Sequence, residues 1–392
     1  QPAGKIELAK MRPAGLLVDP YSYMSPPHNA WYFHHIDELD GVRTDRVRRS
    51  GPVHRLVESH PPLSGVRYRF GGADRTLEEY FSRNHVTGFL VLRGDTIRLE
   101  RYFHGSGRKS RFVSQSVGKS IVSILVGVAA DQGLIANVDD PITKYLPELA
   151  GTGYHDATVE HVLQMATGVS YSEDYRDSTS GAARIGGALI TGKPAFSEFV
   201  RSMQPTAVRP GTAFEYQSVN TQVLGMLVER VTGMRLEQWT EKVLWSRLGA
   251  ESDAYYYQAK QQPETCAFAC FNATLRDYGR VGLMMLERGE LGGRRILSED
   301  WVRRSTTADA PHLRPVLADS AGRPRTGYGY QWWLPPGTDG EFMAIGIYGQ
   351  SIYVNPARRV VVVQTAAWPT PVGPLGAERA AVFAAIAEQL GR

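Results

Sequence analysis

Ser116 and Lys119 stand three residues apart in RFVSQSVGKSIVSIL, the stretch from Arg111 to Leu125. Serine is a weak nucleophile at its own pKa and needs a base within hydrogen-bond reach. Residues i and i+3 of a helix share a face, so the pair meets if a helix begins at Ser116. Lysine acts as such a base only when burial or a neighbouring cation lowers its pKa. Val113, Val117, Ile121 and Val122 offer the apolar surroundings for that. A helix start also aims backbone N–H groups at the reacting atom, where they help an oxyanion. The same stretch carries Gly118-Lys119-Ser120, the tail of a phosphate-binding P-loop. A P-loop needs glycine where this chain has Val113, and valine does not readily take the positive φ of such a nest. A second S-x-x-K, Ser106 to Lys109, lies in a polar, Gly-rich stretch with nothing to bury its lysine, so it reads as an exposed loop. Standing alone, Ser116 and Lys119 also fit a helix cap and a solvated lysine.

Two further segments change that balance. PGTAFEYQSVNTQVLG places Tyr216 and Ser218 just before a helix. A tyrosine near a lysine can share its proton and pass it to a leaving group. AIGIYGQSIYVNP puts Gly346 and Ile347 on a predicted edge strand. Glycine there lets a substrate approach the backbone closely, and the Ile347 N–H can stand beside that of Ser116 as an oxyanion donor. No G-x-S-x-G elbow, H-E-x-x-H helix or strand-borne G-x-G-x-x-G occurs, and the histidines lack metal-ligand spacing. No cofactor or metal is called for.

The elements that must hold these residues follow from the pattern. GFLVLRGDTIRLERYF reads as a hairpin turning at Arg93-Gly94-Asp95, which explains the RGD tripeptide better than cell adhesion. Ser116 to Gln132 fits a buried helix ended by Gly133. Pro141 to Leu248 is helical and loop-rich, and Thr274 to Leu291 reads as an amphipathic helix weakened by Gly279 and Gly282. YGYQWWLP, IYGQSIYVNP and RRVVVVQTAAW are strand-like, and LGAERAAVFAAIAEQL closes the chain as a helix. Strands at both ends and helices between predict an α/β (α+β) fold. An antiparallel sheet flanked by helices is built from the N- and C-terminal parts, with an all-helical region inserted. The boundaries are an N-terminal arm over 1–60, an α/β domain over 61–118 and 266–392, and a helical domain over 119–265.

The chain has 392 residues and a formal charge of +4, which gives no nucleic-acid footprint. No segment reaches the roughly 18–20 apolar residues of a membrane span. The two cysteines, Cys266 and Cys270, are expected to be free thiols, with a local bridge open if the protein is exported. The chain starts at Gln1, so a cytoplasmic location and a periplasmic or secreted one, reached through a leader removed before Gln1, both stay open. Oligomeric state is not legible. Trp332 and Trp333 read as core rather than substrate platform, His34 and His35 as packed or surface residues of the arm, and Arg303-Arg304 as a solvated helix face.

The three chemistry-bearing segments, in this order, resemble the serine β-lactamase-like hydrolases. That family holds class C β-lactamases, D-Ala-D-Ala peptidases, esterases of the β-lactamase fold and 6-aminohexanoate-dimer (nylon-oligomer) hydrolases. GLIANVDDPITKYLPEL, TVEHVLQMATGVSY and YGYQWW look like family landmarks. SPPHNAWYFHH, SEDYRD, SEDWVRR and GIYGQ are similar to the nylon-oligomer branch. The resemblance implies Ser116 as nucleophile, Lys119 as its base and Tyr216 as proton relay. It implies Ser116 and Ile347 as oxyanion amides, and Tyr175, Ser218 and Gly346 as substrate-binding positions. The substrate it implies is a small amide or ester, cleaved through an acyl-enzyme. A carboxylesterase of this fold and a non-catalytic binding member are the alternatives. Class C β-lactamases carry Lys-Thr-Gly and Tyr-x-Asn where this chain has Ala344-Ile345-Gly346 and Tyr216-Gln217-Ser218. Both losses predict weak action on lactams. Asp177 lies near Tyr175 but is given no role.

Overall fold

The computed structural model describes residues 22–318 and 324–391. The first 21 residues of the expected arm lie outside them. An eight-stranded sheet runs in the order Gly327–Tyr328, Trp333–Leu334, Phe342–Ile345, Ser351–Asn355, Val360–Ala366, Val86–Arg93, Thr96–Tyr102, Val57–Glu58. Its strands come from both ends of the chain. The hairpin turns at Gly94 and Asp95, with Arg93 opposite Thr96. One pairing departs from the expected antiparallel sheet: Val57–Glu58 runs parallel to Thr96–Ile97. The sheet is therefore mixed at that edge.

Helices cover both faces of the sheet. Val360–Ala366 and Val86–Arg93 are rich in Val and Leu and are buried on both sides except at Arg93, the pattern of strands covered on two faces. On one face lies the helix Leu275–Leu286, whose residues are all buried. It was expected to be amphipathic and weakened by its glycines. Those glycines are what let it approach: a Cβ on Gly279 would stand 2.8 Å from Leu90 Cδ2, and one on Gly282 would stand 2.5 Å from Val361 Cγ1. On the other face lies Leu375–Gly391, packed with Leu77–Arg83 over Phe89, Val362 and Tyr353.

A smaller antiparallel sheet joins Val42–Val47, Ala254–Ala259, Phe271–Thr274 and Arg111–Val113 in that order. It draws one strand from the arm and one from the 119–265 stretch, and it leads directly into the helix Val117–Asp131 that follows Ser116. That helix is buried on every face over Val117 to Ala129, with Lys119, Ser120 and Ser123 among otherwise apolar or small residues, so it sits in the core. Before it, Trp31, Tyr32 and Phe33 bury the arm's aromatics, and the Phe33 carbonyl accepts from Val113 N. Cys266 and Cys270 are joined, correcting the expectation of two free thiols. The loop between them turns back on itself within the core, which brings the two side chains together. Among the described residues no helix is long and apolar enough to cross a membrane.

Candidate active site

Ser116 caps the helix Val117–Asp131 and is 7% exposed. The residue before it, Gln115, sits at φ +44, a left-handed conformation that costs a non-glycine residue roughly 1 kcal/mol or more. The turn is held by Val117 N and Gly118 N donating to the Ser114 and Gln115 carbonyls. Gly118 is needed because a Cβ there would meet Ser114 Oγ at 2.9 Å. Its glycine thus serves tight packing under the serine, not a phosphate.

Lys119, 1% exposed, lies one turn on. Its Nζ is 2.9 Å from Ser116 Oγ and donates to the Phe268 carbonyl at 2.8 Å. The rings of Tyr216 and Phe268 flank it, with centroids at 5.3 and 5.8 Å. Burial in this aromatic niche pulls Lys119 down to about 8, against a smaller upward pull from the Glu173 charge. The second S-x-x-K differs as expected: Ser106 Oγ donates to the Thr87 and Phe103 carbonyls, and Lys109 is exposed.

Tyr216 stacks on Trp333 at 5.2 Å and meets Tyr328 edge-on at 6.1 Å. Burial pushes its phenol well above the usual range; the Glu173 charge adds to this and the Ser116 hydroxyl opposes it. Tyr216 therefore stays protonated at neutral pH and can hand on a proton, whereas Lys119 is the group whose neutral form comes within reach near pH 8 and can accept one. Trp332 is wholly buried, while Trp333 serves as the shelf under Tyr216. Of the other bystanders, His34 is buried, His35 stacks on Trp31 at 4.0 Å, and Arg304 pairs with Glu160 at 3.2 Å.

Gly346 and Ile347 are not on an edge strand, which corrects the sequence expectation. The strand Phe342–Ile345 is interior, and the two residues follow its end in the turn Ile347–Gly349. The space over Gly346 is filled by the turn before Ser116: a Cβ there would lie 2.7 Å from the Ser114 carbonyl. The glycine thus brings the two segments together. Among the described residues, neither Ser116 N–H nor Ile347 N–H donates to a protein acceptor. Gln350 stays the turn, its buried Nε2 donating to the carbonyls of Ala366 at 2.7 Å, Tyr348 at 3.2 Å and Ile347 at 3.4 Å.

A cavity of about 360 Å³ opens over Ser116 and is lined also by Ile347, Tyr175, Ser218 and Phe268. One wall is the helix Gly181–Thr191, which presents Ala182, Ala183, Ile185, Gly186 and Leu189. The charged lining residues are Glu173, Arg176 and Asp177. Arg176 points to solvent and pairs with Asp174 at 3.2 Å, and Asp177 accepts from Thr179.

Glu173 is the residue sequence reasoning missed. One oxygen accepts from Tyr175 OH at 2.7 Å and Ser218 Oγ at 2.6 Å, the other from Ser218 N at 2.8 Å. Ser218 is the first residue of the helix Ser218–Thr232, so a carboxylate there is also favoured by the helix dipole. Tyr175 and Ser218 thus line the cavity as partners of one carboxylate. An acidic pair, Glu173-Asp174, just before a site tyrosine was the available signal.

Comparison with known proteins places the chain in a family. A family model described as Beta-lactamase matches residues 73–386. The chain belongs to the beta-lactamase family. Within it, the chain is 33% identical over 357 residues to the 6-aminohexanoate-dimer hydrolase of Paenarthrobacter ureafaciens, covering 89% of this chain and 88% of that one. The solved structure named "Putative 6-aminohexanoate-dimer hydrolase from Bacillus anthracis" superposes with a TM-score of 0.85 at 24% identity, covering 96% of this chain and 98% of that one. That of EstCE1, a hydrolase with promiscuous acyltransferase activity, gives 0.63 at 17% identity over 79% and 96%. The chain is a serine hydrolase of this family, whose members work through an acyl-enzyme.

Proposed function

We propose that this enzyme cleaves a small amide or ester through an acyl-enzyme on Ser116, in the manner of the 6-aminohexanoate-oligomer hydrolases or of the carboxylesterases of this fold. The observation that carries it is the buried Lys119 amine, 2.9 Å from Ser116 Oγ and pulled down to about 8. Neutral Lys119 takes the Ser116 proton as the oxygen attacks the carbonyl carbon. The Ser116 and Ile347 amides receive the oxyanion. The proton passes by way of Tyr216 to the leaving amine or alkoxide, and water then cleaves the acyl-enzyme by the reverse route. Tyr175 and Ser218, tied to Glu173, line the substrate's path.

Pocket electrostatics favour this over lactam hydrolysis. The one lining guanidinium, Arg176, is paired and solvated, whereas Glu173 and Asp177 are acidic. Among the described residues lining the cavity, a substrate carboxylate of the kind penicillins carry meets no buried guanidinium. The apolar helix wall suits an acyl group with a hydrocarbon segment. No nucleic-acid partner or cofactor belongs to this reading.

The test is one panel: short and medium acyl p-nitrophenyl esters, 6-aminohexanoate dimer and nitrocefin, with a fluorophosphonate probe mapped by mass. We expect a single adduct on Ser116 and turnover of esters or the dimer well above that of nitrocefin. Nitrocefin turnover rivalling the esters, or an adduct elsewhere, refutes the reading.

A further inference from the structure

The loop from Cys266 to Cys270 reaches the catalytic groups from an unexpected side. Both cysteines are wholly buried, and Ala267 and Phe268 nearly so. Two of the carbonyls it encloses end on the machinery. Phe268 O accepts from Lys119 Nζ at 2.8 Å, and Ala269 O accepts from Ser114 Oγ at 3.1 Å, two residues before the nucleophile. On its outer side Ala267 N donates to Gln222 Oε1 at 3.0 Å, and Cys270 O accepts from Tyr257 N at 3.1 Å.

We propose that the Cys266–Cys270 disulfide is a positioning element of the active site. By closing this loop it fixes the Phe268 carbonyl against Lys119 and the Ala269 carbonyl against the nucleophile turn. The proposal rests on Lys119 serving as the base of Ser116. A lysine amine is a compact group on a flexible four-carbon stem. It presents its lone pair to Ser116 only if its N–H bonds have a fixed acceptor elsewhere. Phe268 O is that acceptor, and it belongs to a short loop rather than to a helix or strand. Covalent closure removes the backbone freedom by which the carbonyl could turn away. Displacements of about 1 Å in such a contact can cost as much as 100-fold in rate.

The experiment uses the double variant Cys266→Ala/Cys270→Ala and, in parallel, wild-type enzyme held in excess dithiothreitol. The dithiol gives two electrons and two protons to the S–S bond, leaves two thiols and becomes its own cyclic disulfide. Alkylation mass shifts count those thiols. We expect kcat on a p-nitrophenyl ester to fall at least about tenfold in both forms, with KM changed less than about threefold. Fluorophosphonate labelling of Ser116 should slow by a similar factor. Reoxidation should restore the wild type, and dithiothreitol should not affect the double variant. A merely loosened fold would raise KM with the fall in kcat. Wild-type kcat in the folded double variant, or in reduced wild type with two thiols counted, overturns the proposal. Should the alanine variant not fold, the reduced wild type decides alone. Absence of any Ser116 adduct in untreated enzyme removes instead the nucleophile assignment on which the proposal stands.

Discussion

The substitution Glu173→Gln should move the acid limb of the pH–rate profile to lower pH. Lys119 must be neutral to accept the Ser116 proton, and it titrates near 8 instead of its ordinary 10.5 because it is buried. The wild-type kcat/KM should therefore fall about tenfold per pH unit below roughly pH 8, leaving about a tenth of the plateau at pH 7 and a hundredth at pH 6. Glu173 opposes the burial, because its negative charge favours the lysine ammonium. Removing that charge lowers the Lys119 pKa further. A unit charge at an effective dielectric constant of about 20 is worth roughly 1–3 kcal/mol at separations of about 6–12 Å, or about 1–2 pH units. Relative to its own plateau, the variant should thus be about 10–50-fold more active than wild type at pH 6. The plateau itself should drop, since Gln cannot accept from Tyr175 OH, Ser218 Oγ and Ser218 N as a carboxylate does. The groups around Lys119 are Ser116 on its own helix, Tyr216 and Phe268 across from it, and Glu173. Tyr216 stays protonated throughout the range, so the acid limb belongs to Lys119. The assay is kcat/KM on one ester from pH 5 to 9 in constant ionic strength, each curve scaled to its maximum. An unmoved limb, or one moved to higher pH, refutes the assignment of Lys119 as base or of Glu173 as its counter-charge.

Ser116→Ala should abolish acyl transfer with the fold intact by circular dichroism, while Ser106→Ala should keep wild-type kcat/KM; equal losses would sink the nucleophile assignment. Tyr216→Phe should lose more than Tyr175→Phe, roughly 10²–10⁴-fold on an amide and less on the matching ester, because an amine must be protonated to leave; near-wild-type amide turnover by Tyr216→Phe would make that residue structural. Gly186→Leu, on the cavity wall, should raise KM for octanoyl esters several-fold and leave acetyl esters nearly unchanged, and a uniform effect on both would place the acyl group elsewhere. Lys119→Met should be inactive yet no less stable at pH 7 by urea denaturation. Its depressed pKa costs folding about 3 kcal/mol, fully felt below pH 8 and relieved as pH rises towards 10.5, which offsets the two hydrogen bonds lost; a loss above about 2 kcal/mol would show that the ammonium is well accommodated.

What the sequence disclosed and what it concealed divide along a physical line. Side-chain chemistry at helical spacing was visible, because i and i+3 on a helix meet wherever that helix goes. Ser116 and Lys119 could be paired on that ground, and their apolar neighbours announced the burial that gives Lys119 its low pKa. The strands were visible as runs of Val, Ile and Tyr, and the RGD turn as a hairpin. What stayed hidden lies on the backbone or across long separations. The Phe268 carbonyl that holds Lys119 has no side-chain signature. The Cys266–Cys270 spacing is equally compatible with two thiols, since pairing depends on how tightly the intervening backbone turns. Gly346 was suspected of allowing a close approach, and the group the fold brings close to it is the Ser114 carbonyl. Gly279 and Gly282 misled in the same direction: they look like helix breakers until the sheet against which they pack is known. Glu173 is the most instructive case. It is one acid among 40 Asp and Glu residues, and only the fold brings Tyr175 and Ser218 to its two oxygens. A catalytic pair can therefore be local in sequence while the groups that set its pKa and hold its geometry are not. The tests that weigh those distant groups, Glu173 and the Cys266–Cys270 loop, probe what the motif alone leaves undetermined.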